Sequence, residues 1–135
     1  MDVKHEPRIL HTMLRVSDLP RSVHFYTEIL GMKVLRKLDQ PTEKYTLIFL
    51  GYADESESSV LELTYNYGVN EYDLGTGFGH IAIGVSDIKQ VSEQIENHGI
   101  ELSLKPTKLK GTDEIIAFLS DPDGYKIELI ERSSQ

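Results

Sequence analysis

The sequence predicts an α+β fold of two tandem βαβββ modules whose sheets curve into one cup-like surface. Three observations carry that expectation. The stretch "HTMLRVSDL", His11 to Leu19, returns sixty-nine residues later as "HIAIGVSDI", His80 to Ile88. Each copy ends in an aspartate followed by apolar residues at helical spacing and then a glycine. Each helix is followed by three runs that read as strands. A repeat of this period means duplication of a unit that buries its apolar surface only in company. The expected boundaries are residues 9–66 for the first module, 67–79 for the link and 80–131 for the second.

Taken in order, Ile9 to Val16 alternates as a strand, with Leu10, Thr12, Leu14 and Val16 on one face and His11, Met13 and Arg15 on the other. Asp18 has the place of a helix N-cap and Pro20 falls in the first turn. Leu19, Val23, Tyr26, Ile29 and Leu30 follow near helical spacing, and Gly31 is the stop. "MKVLRKL", "YTLIFLGY" and "SVLELTYN" complete the module as strands. In the second half Gly79 to Val85 is a strand, Asp87 caps a helix carrying Ile88, Val91 and Ile95, and Gly99 ends it. "IELSLK", "IIAFLSD" and "YKIELIER" are the closing strands.

Composition narrows the functions. The chain of 135 residues is long enough for one compact domain or two small modules. It has no cysteine, which excludes thiolate zinc sites, redox switches and a cysteine nucleophile. Its 14 Lys and Arg stand against 22 Asp and Glu, and a net charge of −8 disfavours nucleic acid and anionic membrane as partners. No apolar run approaches a signal core or a membrane span, and a cytoplasmic location is expected.

The repeat reaches chemistry in its last strands. "LELTY" and "IELIE" share an aliphatic-Glu-Leu core, so each module opens on a histidine, His11 or His80, and closes on a glutamate, Glu62 or Glu128. A carboxylate within an apolar strand is costly to bury unless something compensates it. Alternation turns both glutamates away from their aliphatic neighbours. If the modules pair about a pseudo-twofold axis, two imidazoles and two carboxylates converge as a metal site. A lone strand histidine is more often a hydrogen-bonded structural group, but packing gives no reason for His and Glu to recur together away from the core. His5, His24 and His98 have no repeat partner and read as tail, helix and helix-end residues. "GTGFGH" lacks the dinucleotide spacing and reads as a flexible link. "DPDG", Asp121 to Gly124, reads as a hairpin turn rather than a calcium loop.

With these residues in view, the chain from about Ile9 to Glu131 resembles glyoxalase I of the bacterial type, within the vicinal oxygen chelate superfamily. The likeness rests on "LHTMLRV", "FYTEILGM", "LELTYN", "GHIAI" and "DPDGYKIELIE". It implies that His11, Glu62, His80 and Glu128 hold a divalent metal. Histidine, not glutamine, at the first ligand position and the short chain resemble the enzymes that work best with nickel or cobalt, although the donor set also suits zinc. The implied reaction converts the hemithioacetal of methylglyoxal and glutathione to S-lactoylglutathione. Glu128 is its chief base, and Glu62 serves the other hand of the substrate. Arg15 and Asn66 match the pair that grips the γ-glutamyl end of glutathione, and Lys110 falls near its glycyl carboxylate. The intact "KPTKLKGTDE" favours glutathione over a larger thiol. The likeness also implies a homodimer whose sites are shared between chains. Two alternatives stay open. Another enzyme on the same scaffold, such as an acyl-CoA epimerase or a thiol transferase, would share the metal but not the Arg15 and Asn66 pair; a metal-free small-molecule-binding module would have no use for four ligands.

Overall fold

The computed structural model describes residues 6–133, so His5 lies outside the described residues. The chain divides into two units, Met1–Tyr72 and Asp73–Gln135. The first contains β1 (His11–Arg15), a helix α1 (Leu19–His24) that widens into a π-helical turn over Phe25–Ile29, then β2 (Lys33–Gln40), β3 (Tyr45–Gly51) and β4 (Val60–Asn66). The second contains β5 (His80–Val85), α2 (Ile88–Asn97), β6 (Leu104–Lys108), β7 (Ile115–Ser120) and β8 (Lys126–Glu131). Each unit is βαβββ with one four-stranded sheet, in the orders β1-β4-β3-β2 and β5-β8-β7-β6. The first and last strands of each unit pair in parallel and the rest antiparallel. Parallel pairing needs a long crossover, here the helix together with the intervening hairpin.

Both helices start as their aspartates predict. Asp18 Oδ1 accepts from Arg21 N at 3.1 Å and Asp87 Oδ1 from Gln90 N at 3.0 Å. A second carboxylate, Glu131, accepts from Ile88 N at 3.1 Å, so two of the orphan donors of α2 are satisfied. Gly31 and Gly99 follow the helices with φ of +80° and +83°, a left-handed conformation that glycine adopts without a Cβ clash. In the first unit the helical ladder slips: Leu30 N donates to Phe25 O at 3.1 Å, five residues back, and Thr27 Oγ1 donates to Val23 O at 2.7 Å. The wider turn brings two consecutive rings, Phe25 and Tyr26, inside together, where they meet edge to face at 5.0 Å.

One expected strand is misplaced. "IELSLK" was expected to pair from Ile100, but β6 begins at Leu104. Leu102 instead buries its side chain after the glycine exit, and the chain joins the sheet through Ser103 N, which donates to Phe118 O at 2.9 Å. The DPDG turn is a hairpin between β7 and β8, tied by Asp121 Oδ1, which accepts from Asp123 N and Tyr125 N, both at 2.9 Å.

Leu50, Leu63, Leu119, Ile127 and Leu129 are fully buried. Leu63, beside Glu62, is the sharpest test of the first core: Leu63→Ala is expected to cost about 2–5 kcal/mol, read as a lower urea midpoint at unchanged slope. A loss under about 0.5 kcal/mol, within the range of ordinary surface changes, would show that this strand face is not core.

Candidate metal centre

Strand alternation does for Glu62 and Glu128 what the sequence requires. Leu61 and Leu63 are buried on one side and Ile127 and Leu129 on the other unit's equivalent side, while each glutamate turns to the opposite face. Parallel register sets Met13 beside Glu62 and Ala82 beside Glu128, so His11 and His80, two residues earlier, share the face of their glutamates. His11 Nε2 lies 3.0 Å from Glu62 Oε1, and His80 Nε2 lies 2.9 Å from Glu128 Oε1. The carboxylate side chains are only 12% and 13% exposed, against 36% and 42% for the imidazoles.

Each pair has an aromatic wall that the sequence reading missed. Phe49 is paired in register with Glu62, and its ring meets His11 edge to face at 5.2 Å. Phe118 is paired with Glu128 and meets His80 at 5.3 Å. The signal was present: Phe49 and Phe118 are separated by the same sixty-nine residues as the two histidines. Arg36 and Glu55 were missed as well. Arg36 stacks over the Phe49 ring at 3.7 Å from its centroid and forks onto Glu55 at 2.7 and 3.1 Å. That hydrogen bond raises the Arg36 pKa and holds the Glu55 carboxyl below its ordinary value.

The two halves differ at the carboxylates. Thr64 Oγ1 donates to Glu62 Oε2 at 3.0 Å, which fixes the oxygen that His11 leaves free. In the second unit Ile130 stands two residues beyond Glu128 and has no hydroxyl to offer.

The donors fit a divalent ion. Two neighbouring ligand atoms on one six-coordinate ion with bonds of ~2.1 Å stand about 3 Å apart, and nitrogen with carboxylate oxygen suits nickel, cobalt or zinc. A single pair at this distance is equally a plain hydrogen bond; two pairs at matching register, each with a matching ring, indicate a common task. The structure brings the four residues together two by two, and among the described residues no group of three or more possible ligands forms.

The remaining candidates are placed as follows. Arg15 ends β1, exposed, and Asn66 ends β4, half-buried, with Nδ2 donating to Tyr72 OH at 3.1 Å. Lys110 is exposed in the turn between β6 and β7, which is closed by Leu109 N to Glu114 O at 2.7 Å. Beside His80 a cavity of about 580 Å³ is lined by Leu74, Thr76, Phe78, Leu104, Phe118 and Lys126 among others. The glycine-rich link thus forms one wall beside a candidate ligand.

Residues 8–129 match the sequence pattern of the Glyoxalase/Bleomycin resistance protein/Dioxygenase superfamily. The chain belongs to that superfamily. Within this superfamily it is 53% identical over 127 residues to a probable lactoylglutathione lyase of Synechocystis, with 94% of this chain and 97% of the relative aligned. It is equally 53% identical to the lactoylglutathione lyase of Escherichia coli O157:H7, over 92% of each chain. Among solved structures, glyoxalase I from Zea mays superposes with a TM-score of 0.91 at 50% identity, over 95% of this chain. The chain spans 46% of that maize protein. The trypanothione-dependent glyoxalase I of Leishmania major superposes with a TM-score of 0.84 at 53% identity, over 93% of this chain and 87% of that one. Among the described residues no helix is long and apolar enough to cross a membrane.

Proposed function

We propose that this protein catalyses the glyoxalase I reaction, the metal-dependent isomerisation of the methylglyoxal–glutathione hemithioacetal to S-lactoylglutathione, and so detoxifies methylglyoxal. The duplicated His–Glu pair carries the reading, because it supplies two imidazoles and two carboxylates to one chemistry. Identity of 53% to lactoylglutathione lyases, over 92% or more of each chain, supports it.

His11, Glu62, His80 and Glu128 hold the ion. When bound, the ion supplies positive charge against the negative charge that develops on the two vicinal substrate oxygens. The protein residues do the rest. The Glu128 carboxylate takes the proton from C1 of the hemithioacetal, the C1–H pair becomes the C1–C2 double bond as the C2 carbonyl π pair moves onto its oxygen, and the same carboxyl then returns the proton to C2 while the C1 hydroxyl proton passes to the C2 oxygen and the C1 carbonyl forms. Atoms balance and no redox partner is needed. Thr64 anchors Glu62, which leaves Glu128 as the freer of the two carboxylates. Arg15 forks onto the γ-glutamyl carboxylate and Asn66 adds its amide, while Lys110 neutralises the glycyl carboxylate. The Phe49 and Phe118 rings lie edge to face against the two imidazoles.

Histidine at position 11 favours nickel, then cobalt, over zinc. The four ligands come from two chains of a homodimer, with His11 and Glu62 of one facing His80 and Glu128 of the other. A cytoplasmic location follows from the need for reduced glutathione.

Metal reconstitution tests the reading. Stripped protein is expected to lack thioester formation and to regain it with nickel and cobalt, less with zinc, and with glutathione preferred to trypanothione. Failure of all three metals to restore turnover would overturn the isomerase. A separate prediction concerns Arg15: Arg15→Ala is expected to raise KM for glutathione adducts about tenfold or more with metal content unchanged, as loss of a charge-assisted contact of about 1.5–3 kcal/mol requires. Unchanged KM together with metal loss would show that Arg15 does not face the substrate carboxylate.

A further inference from the structure

We infer that Arg36 is a positioning residue for His11: an extra residue in β2 carries its guanidinium onto Phe49, and the Phe49 ring in turn fixes the plane of the imidazole. The inference rests on the reading of His11 as a metal ligand.

The register shows how the arginine arrives there. Lys33 pairs with Gly51 and Val34 with Leu50, and an uninterrupted ladder would next set Leu35 opposite Phe49. A bulge falls between Val34 and Arg36, so Arg36 takes that place and the side chains beyond it change face. Bulges of this kind re-aim a side chain beside a functional site. Here the change replaces an aliphatic neighbour of Phe49 with a cation. Because residues opposite one another share a face, Arg36, Phe49 and Glu62 form a row across three strands, with His11 against the ring of the second.

The contacts are continuous. Glu55 accepts from Arg36 Nε at 2.7 Å and from its terminal nitrogen at 3.1 Å, which holds the guanidinium plane. Arg8 donates to Glu55 O at 2.5 Å and secures the loop that presents the carboxylate. The guanidinium carbon is 3.7 Å from the Phe49 centroid, well within cation–π range, and the Phe49 and His11 rings meet at 83°. A metal-bound histidine is ordinarily oriented by the partner of its other ring nitrogen. For His11 the contact found besides Glu62 among the described residues is the Phe49 ring, so the stack takes over that duty.

The second unit supplies the contrast. Leu104 pairs with Phe118 where Arg36 pairs with Phe49, because its own bulge comes after that position. His80 therefore rests on a ring backed by an aliphatic side chain. Among the described residues, the ring beside His11 has a charged brace and the ring beside His80 has none.

Arg36→Leu gives the first unit the second unit's arrangement and is the direct test. In the metal-free protein, the imidazole proton resonances of His11 are expected to move while those of His80 stay in place. Nickel affinity, read by competition with a chelator of known affinity, is expected to fall about three- to tenfold, at or below the low end for partners of metal ligands. In the loaded enzyme kcat falls and KM for the glutathione adduct changes little. Arg36→Lys, which keeps the charge but not the flat stack or the fork, is expected to recover only part of the loss. Glu55→Gln loosens the same guanidinium without touching β2 and should give a smaller effect in the same direction, so the inference stays testable if Arg36→Leu folds poorly. Unmoved His11 resonances with unchanged nickel affinity would overturn it, as would a lower Tm alone. His11→Ala separates the two readings. Nickel affinity that survives His11→Ala refutes the metal assignment, while the Arg36-dependent shift of the His11 resonances still reports on the stack.

Discussion

Glu128→Gln lowers kcat by ~10²–10⁴-fold, the loss typical of removing a general base, while the fold and most of the affinity for glutathione adducts remain. An amide can approach the ion but cannot accept the C1 proton. The asymmetry between the halves sharpens the expectation. Glu62 is tied by Thr64 through the oxygen that His11 does not face, and Ile130 provides no such tie for Glu128. Proton transfer between two carbons needs a carboxylate that can leave its resting place, so Glu62→Gln should reduce metal affinity more and chemistry less than Glu128→Gln. The comparison is made by single-turnover measurements at saturating nickel, with bound metal quantified in each sample. A Glu128→Gln enzyme within a few-fold of wild type would move the base to Glu62.

If the proposed homodimer shares its sites between chains, refolding two inactive variants together is expected to restore activity. One carries alanine at His11 and Glu62, the other at His80 and Glu128, and each alone has a damaged half in every site. Random assembly makes about half of the dimers mixed, and in each of these one site inherits both intact halves, so about a quarter of all sites should turn over. Sites built within one chain would recover nothing. The measurement is specific activity against mixing ratio, with mixed dimers confirmed by a tag on one variant. No recovery from demonstrably mixed dimers would refute the shared site and leave the ligand assignment standing.

Much of the fold and of the two His–Glu pairs is legible in the sequence because a strand has a period of two and the chain states its plan twice. Once His11 and Glu62 were set on strands with buried Leu14 and Leu63, their shared face followed from alternation, and the second copy confirmed the choice. The aspartate caps and glycine exits were legible for the same reason: each is a local rule. What escaped was every place where the local period breaks. The bulge before Arg36 reverses which side chains face the site, and nothing in "MKVLRKL" marks it. The π-helical turn admits both Phe25 and Tyr26, whereas a regular helix at the expected spacing accounts only for the second. Ile100 to Leu102 have strand-like residues but serve to lead the chain from helix to sheet.

The parallel pairing of β1 with β4 also sets a timetable. His11 is made early and Glu62 about fifty residues afterwards, so at ~5–20 residues per second a nascent chain carries the histidine for several seconds before its carboxylate exists. The same delay separates β5 from β8. In each unit the strand that opens the module must wait, with neither edge paired, for the strand that closes it. Each His–Glu pair is therefore completed only when the last strand of its own sheet has been made.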